Sequence, residues 1–172
     1  MSFPGLAMSA GIFLLALLLV LMTDCSPKPK YIDEGKVWQA VQEEAEKQAL
    51  DPFFVYAIIA AESSFNARAR NGDAFGLMQV RPDAWKTVSD KPHRRAFRWR
   101  ENIEAGTAYL GHLKESLEKQ KQFSYPILAA SYRHGPNRVR KVDFDLSKLP
   151  APKNKIYQKL QRGERSPVSP PA

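Results

Sequence analysis

Pro52-Phe-Phe-Val-Tyr-Ala-Ile-Ile-Ala-Ala-Glu62-Ser63-Ser64-Phe65-Asn66 is the stretch on which the reading of this chain turns. Asp51 before it suits a helix N-cap, and Pro52 suits the first helical position, where no backbone N–H is needed. From Pro52 to Ala61 the residues are apolar nearly all round, which predicts a central, buried helix rather than an amphipathic one. A carboxylate ending such a helix is costly. Desolvation disfavours its charged form, and the negative end of the helix dipole acts in the same direction. Glu62 is therefore a candidate general acid, a group that keeps its proton near neutrality.

Working outward, Asp33 reads as an N-cap for a helix through about Ala49, with Val37, Trp38, Val41 and Ala45 as its apolar stripe. Residues 66–76 hold Asn71-Gly72-Asp73 and Gly76, a turn-rich segment able to form a small hairpin. A helix is expected over Pro82–Ser89, then a basic irregular stretch over 90–100, then a long helix from about Glu101 to Lys119. Another covers Tyr125 to His134 and stops at Gly135-Pro136, and a last short one spans Lys153 to Leu160. No strand of ordinary length is evident. The expected fold is all-α, one domain with at most a small hairpin.

The chain has 172 residues, 44% of them hydrophobic, and a net charge of +8. Residues 1–25 contain one acid, Asp24, and no Lys or Arg, so the charge without them is +9. This balance favours anionic partners: nucleic acid, acidic lipid headgroups or an acidic wall polymer. Leu6 to Met22 is an uncharged apolar run of 17 residues, at the short end for a spanning helix and also suited to a signal sequence. Cys25 is the only cysteine, which excludes an internal disulfide. Leu21-Met22-Thr23-Asp24-Cys25-Ser26 resembles a lipoprotein lipobox, with Cys25 as the lipidated residue and Asp24 departing from the small residue expected there. Lipoprotein, uncleaved anchor and simple secretion all stay open, and each places the protein at a membrane.

The division that follows is a signal peptide or anchor over 1–25, a spacer and first helix over 26–50, a catalytic domain over 51–161 and a disordered Pro-rich tail over 162–172. Lys91-Pro-His-Arg-Arg-Ala-Phe-Arg-Trp-Arg100 has the basic and aromatic character of a single-strand nucleic-acid binder, but an apolar leader argues for a solvated loop facing an anionic envelope. His93, His112 and His134 have no metal-ligand spacing, and no phosphate-binding Gly loop, G-x-S-x-G or C-x-x-C occurs. Neither a metal nor another cofactor is expected, and nucleic acid is not an expected partner.

Five blocks in order then carry a resemblance: Glu62-Ser63-Ser64-Phe65-Asn66, Gly76-Leu77-Met78-Gln79, Asn102-Ile103 with Gly106 and Tyr109-Leu110, Ala129-Ala130-Ser131-Tyr132-Arg133-His134-Gly135-Pro136, and Pro150 with Tyr157. Together they resemble the soluble-type (SLT) peptidoglycan lytic transglycosylases, glycoside hydrolase family 23, with the goose-type lysozyme fold. The resemblance implies that Glu62 is a lone acid and then base, acting on the β-1,4 bond between N-acetylmuramic acid and N-acetylglucosamine in peptidoglycan glycan strands. The muramyl C6 hydroxyl would attack its own anomeric carbon and give a 1,6-anhydro end, so a second carboxylate to direct water is not required. It further implies that Ser64, Met78, Gln79 and Arg133 belong to the sugar-binding set and that the Tyr132 hydroxyl lies near Glu62. Gly76 would let the backbone pass close to the glycan. Asn102 reads as a structural cap.

Three departures stand out: Arg133 for the usual Asn, Arg81 for Met, and Lys153-Asn154-Lys155 for Glu-Thr-Arg. A cation aimed at Glu62 would lower its pKa; alternatively these cations would grip stem-peptide carboxylates. The rival readings are a hydrolase on the same fold, with Asp73 holding water, and a wall-binding scaffold that has lost catalysis.

Overall fold

Asp33 caps the first helix, α1 (Glu34–Lys47), its carboxylate accepting the Lys36 N–H at 3.0 Å. The computed structural model describes residues 30–171; the expected leader, Cys25 and most of the spacer lie outside them. Asp51 caps α2 (Pro52–Ser63) in the same way, accepting the Phe53 N–H at 2.9 Å, with Pro52 in the first turn. Phe54 through Ala60 are all buried, so α2 runs through the core as its apolar composition requires.

The other elements wrap this helix. A hairpin, β1 (Arg70–Asn71) and β2 (Ala74–Phe75), pairs antiparallel with Arg70 opposite Phe75. It leads to α3 (Pro82–Val88), a 3-10 turn over His93–Phe97, and the long α4 (Trp99–Lys119). Next come α5 (Tyr125–His134), α6 (Pro136–Lys141), a 3-10 turn at Leu146–Lys148 and α7 (Lys155–Gln161). Helix α2 packs on α1 and α7, while α4 packs on α1, α3 and α5. Trp85, Tyr56, Phe54 and Tyr157 are among the largest fully buried side chains. Among the described residues no helix is long and apolar enough to cross a membrane.

Two expectations about elements change. The basic stretch 90–100 is not wholly irregular, since it holds the 3-10 turn, and α4 begins at Trp99 rather than Glu101. Gly135-Pro136 does end α5, but Pro136 also opens α6. Gly135 at φ 85° makes the corner, and the proline sits where a helix tolerates it best. Past Gln161 the described residues hold no further helix or strand. Even so, Val168 packs against the core, and Arg165 lies 3.4 Å from the Asp51 carboxylate and over the Tyr125 ring.

Candidate active site

Helix α2 delivers Glu62 into a groove of about 1190 Å³. The hairpin turn, Gln79, Arg81 and Asp83 line part of it, and Tyr132, Arg133 and the start of α6 line another. Immediately after Glu62 the chain reverses through two left-handed residues, Ser64 at φ 49° and Phe65 at φ 62°. The reversal lets the Phe65 ring reach Tyr56, 4.8 Å between centroids, and anchors the end of α2 to the core.

Glu62 is mostly surrounded by protein. The phenol of Tyr157, fully buried on α7, donates to its Oε1. Burial pushes the Glu62 carboxyl above the ordinary carboxylate range; the Tyr157 hydrogen bond and the Arg133 charge pull it back without cancelling that shift. Both nearby phenols, Tyr132 and Tyr157, are pushed well above their usual range by burial and by the adjacent carboxylate, so they remain protonated donors. Arg133 is held over the Tyr157 ring at 4.8 Å. Lys153 is exposed and does not line the groove, so of these two cations only Arg133 acts on Glu62. Asn154 caps α7 and reaches back at 3.2 Å to the carbonyl of Ala61, next to Glu62.

The loop carrying Gln79 is built from inside. Asn102 is fully buried; its Oδ1 accepts the Met78 N–H at 2.7 Å, and its Nδ2 donates to the carbonyls of Phe75 at 2.9 Å and Ala96 at 2.8 Å. Those three bonds clamp the loop from below, so Asn102 is structural, but not as the cap expected: it lies inside α4, whose N-cap is Arg98. Gln79 lines the groove in a left-handed conformation, φ 49°, with its amide Nε2 tied to the Gly76 carbonyl at 2.9 Å. A non-glycine residue held there stores strain of the kind that clusters at functional sites.

Of the expected site residues, Glu62, Gln79, Tyr132 and Arg133 meet in the groove. Ser64, Gly76 and Met78 do not line it. Ser64 is the left-handed cap of α2. Met78 is fully buried, packed so closely on Gly106 that a Cβ there would come within 2.4 Å of its sulfur. At Gly76 (φ 77°) a Cβ would meet the Ala96 carbonyl at 2.3 Å and Asn102 at 2.4 Å, so the glycine makes room for the protein's own interior, not for a glycan. The Tyr132 hydroxyl lies close enough to feel the Glu62 charge but donates to the Met78 carbonyl at 2.8 Å, and the direct hydrogen bond to Glu62 comes from Tyr157. Sequence reasoning set Tyr157 in the closing block without a role. The signal was present, but nothing in the sequence brings α7 back onto the end of α2.

Two further carboxylates line the groove, and both lie against one guanidinium: Arg81 sits 3.1 Å from Asp73 and 4.0 Å from Asp83. No cluster of metal-ligating residues occurs among the described residues.

A helical domain that shelters one carboxyl in a groove has counterparts among known proteins. Residues 39–148 match the Transglycosylase SLT domain, and the chain belongs to that family. It is 33% identical over 129 residues to membrane-bound lytic murein transglycosylase C of Yersinia enterocolitica, covering 66% of this chain and 36% of the relative. The protein of that name from Salmonella typhimurium is 33% identical over 138 residues, covering 72% of this chain and 38% of the relative. The chain thus spans little more than a third of the length of these curated relatives. An inactive mutant of lytic transglycosylase Slt from Pseudomonas aeruginosa superposes with a TM-score of 0.55 at 22% identity, over 74% of this chain and 22% of that one, which establishes the shared fold. The family match ends before α7, so Tyr157 lies outside it.

Proposed function

We propose that this protein is a peptidoglycan lytic transglycosylase that cleaves the β-1,4 bond between N-acetylmuramic acid and N-acetylglucosamine without water, leaving 1,6-anhydromuramyl ends. The observation that carries this reading is the Glu62 carboxyl, the one sheltered acid of the groove, whose pKa burial raises above the ordinary carboxylate value. Oε1 of Glu62 accepts from Tyr157, which leaves Oε2 to carry the proton. Glu62 gives that proton to the glycosidic oxygen as the bond breaks. The carboxylate so formed then takes the proton of the muramyl C6 hydroxyl as its oxygen closes on the anomeric carbon, and the acid is regenerated. The tethered nucleophile supplies the large effective concentration of an intramolecular attack.

A hydrolytic course is less well supported. It needs a second carboxylate free to activate water, and Asp73, the candidate for that role, is paired with Arg81 at 3.1 Å. Gln79 and Tyr132 line the sugar-binding surface, and Arg133 adds a cation suited to the carboxylates of stem peptides. A location in the bacterial envelope, attached to a membrane and facing the wall, is supported by the relatives' printed name, membrane-bound, and by the apolar run Leu6–Met22, with Cys25 as a candidate lipidation site. The test is clearing of a peptidoglycan gel. The parent protein clears it and Glu62→Gln does not, with a loss of about a thousandfold or more because one group serves as both acid and base. Equal clearing by the variant would remove Glu62 from the mechanism.

A further inference from the structure

The basic, aromatic stretch 91–100 is not used by the groove, and none of its residues lines it. Its end, Phe97-Arg98-Trp99-Arg100, instead meets the start of the described chain. The Lys30 carbonyl accepts the Ala67 N–H at 2.8 Å, and Tyr31 bridges to Asn66. Beside this junction Ile32, Ala67, Phe97 and Trp99 line a mostly apolar hollow of about 300 Å³ with Arg98 and Arg100 at it. The Arg100 guanidinium lies 4.6 Å over the Trp99 ring, and the Lys30 ammonium lies 5.1 Å over Tyr31, which is 59% exposed. Glu101, the one acid among the lining residues, is held by Arg95 at 2.6 Å and by Arg98 at 3.3 Å. The surface therefore presents aromatic rings capped by cations, with its carboxylate already neutralised.

We propose that this surface docks on a bilayer containing anionic phospholipid, with Trp99 and Tyr31 at the headgroup level and Lys30, Arg98 and Arg100 among the phosphates. Aromatic side chains with an apolar body and a polar edge settle at that depth. Each cation near an anionic leaflet adds to the attraction. Chain reach makes the contact possible. Lys30 follows the end of the apolar run, Met22, by only eight residues. Even fully extended, such a tether spans no more than about 28 Å. A leader held in the bilayer thus keeps this face within reach of the headgroups. The proposal does not depend on what the groove cleaves.

The full-length chain, leader included, is reconstituted into vesicles of phosphatidylcholine alone or with phosphatidylglycerol, both with brominated acyl chains that quench nearby tryptophan. Trp85 is buried and Trp38, half-buried among Phe53 and Tyr56, lies away from this surface's lining residues, so the Trp99 signal is read as the difference between the parent and Trp99→Phe. Quenching is expected with phosphatidylglycerol and is abolished in Trp99→Phe. It falls to the neutral-lipid level in Lys30→Glu/Arg100→Glu and, for the unmodified protein, in about 0.5 M salt, where surface charges are screened within a few ångströms. Equal quenching in neutral vesicles would overturn the proposal, as would quenching that survives Trp99→Phe. Absence of quenching in protein that stays on the vesicles would mean that something else, such as the chain's own leader, covers the hollow. Retention on single-stranded DNA as strong as on phosphatidylglycerol vesicles would reassign the surface to polyanions in general.

Discussion

The Tyr157 hydroxyl donates to Oε1 of Glu62 across 95 residues of chain. It joins the last helix to the end of the buried one, and it opposes the burial that raises the Glu62 pKa. Acidity at this site is thus a balance between a greasy enclosure and one phenol, with the Arg133 charge adding a smaller pull in the phenol's direction.

Tyr157→Phe tests that balance. The phenol favours the ionised form, so its removal raises the Glu62 pKa further. A general acid loses activity as pH rises through its pKa, so the alkaline limb of the kcat profile moves to higher pH. The measurement is the pH dependence of turnover on purified sacculi.

Arg133→Asn removes a cation that stabilises the Glu62 carboxylate. The alkaline limb again moves upward, but by less than in Tyr157→Phe, because the hydrogen bond is the larger influence. If the same guanidinium holds stem peptides, KM rises on peptide-bearing strands and stays unchanged on glycan stripped of peptide.

Stability carries its own signature of the raised carboxyl. Between the ordinary carboxylate pKa and the raised folded value, the native state keeps a proton that the unfolded chain has released. Unfolding free energy therefore falls as pH rises through that window. Glu62→Gln removes the dependence, so the variant is more stable than the parent at about pH 8 and gains little at about pH 4. Thermal unfolding at the two pH values measures it.

Asn102→Ala leaves the Met78 N–H and the carbonyls of Phe75 and Ala96 without their partner in the interior. A loss of about 3 kcal/mol is expected, lowering Tm by roughly 10 °C in a domain of this size. Activity of the protein that remains folded falls too, because the loop that holds Gln79 is no longer clamped.

Much of this was legible in the residues. Asp51-Pro52 followed by an unbroken apolar run fixes both the start and the burial of α2, and Asn71-Gly72-Asp73 marks the hairpin turn. What escaped depends on partners distant in sequence. Gly76 is recognisable as a special position, but its neighbour is the Asn102 side chain rather than a ligand, and spacing alone does not reveal that. Tyr132 and Tyr157 are both phenols on core-facing helices, and which one meets Glu62 is settled by how α5 and α7 pack. Gly135-Pro136 carries a stop and a start in the same two residues, so α6 was hidden behind the end of α5.

The central claim, one protonated carboxyl acting without water, is tested most directly by the mass of the muramyl ends that the protein releases from sacculi. The account predicts 1,6-anhydro ends, lighter by one water than reducing ends, and their disappearance in Glu62→Gln. Reducing ends from the parent protein, or anhydro ends undiminished in the variant, would contradict it.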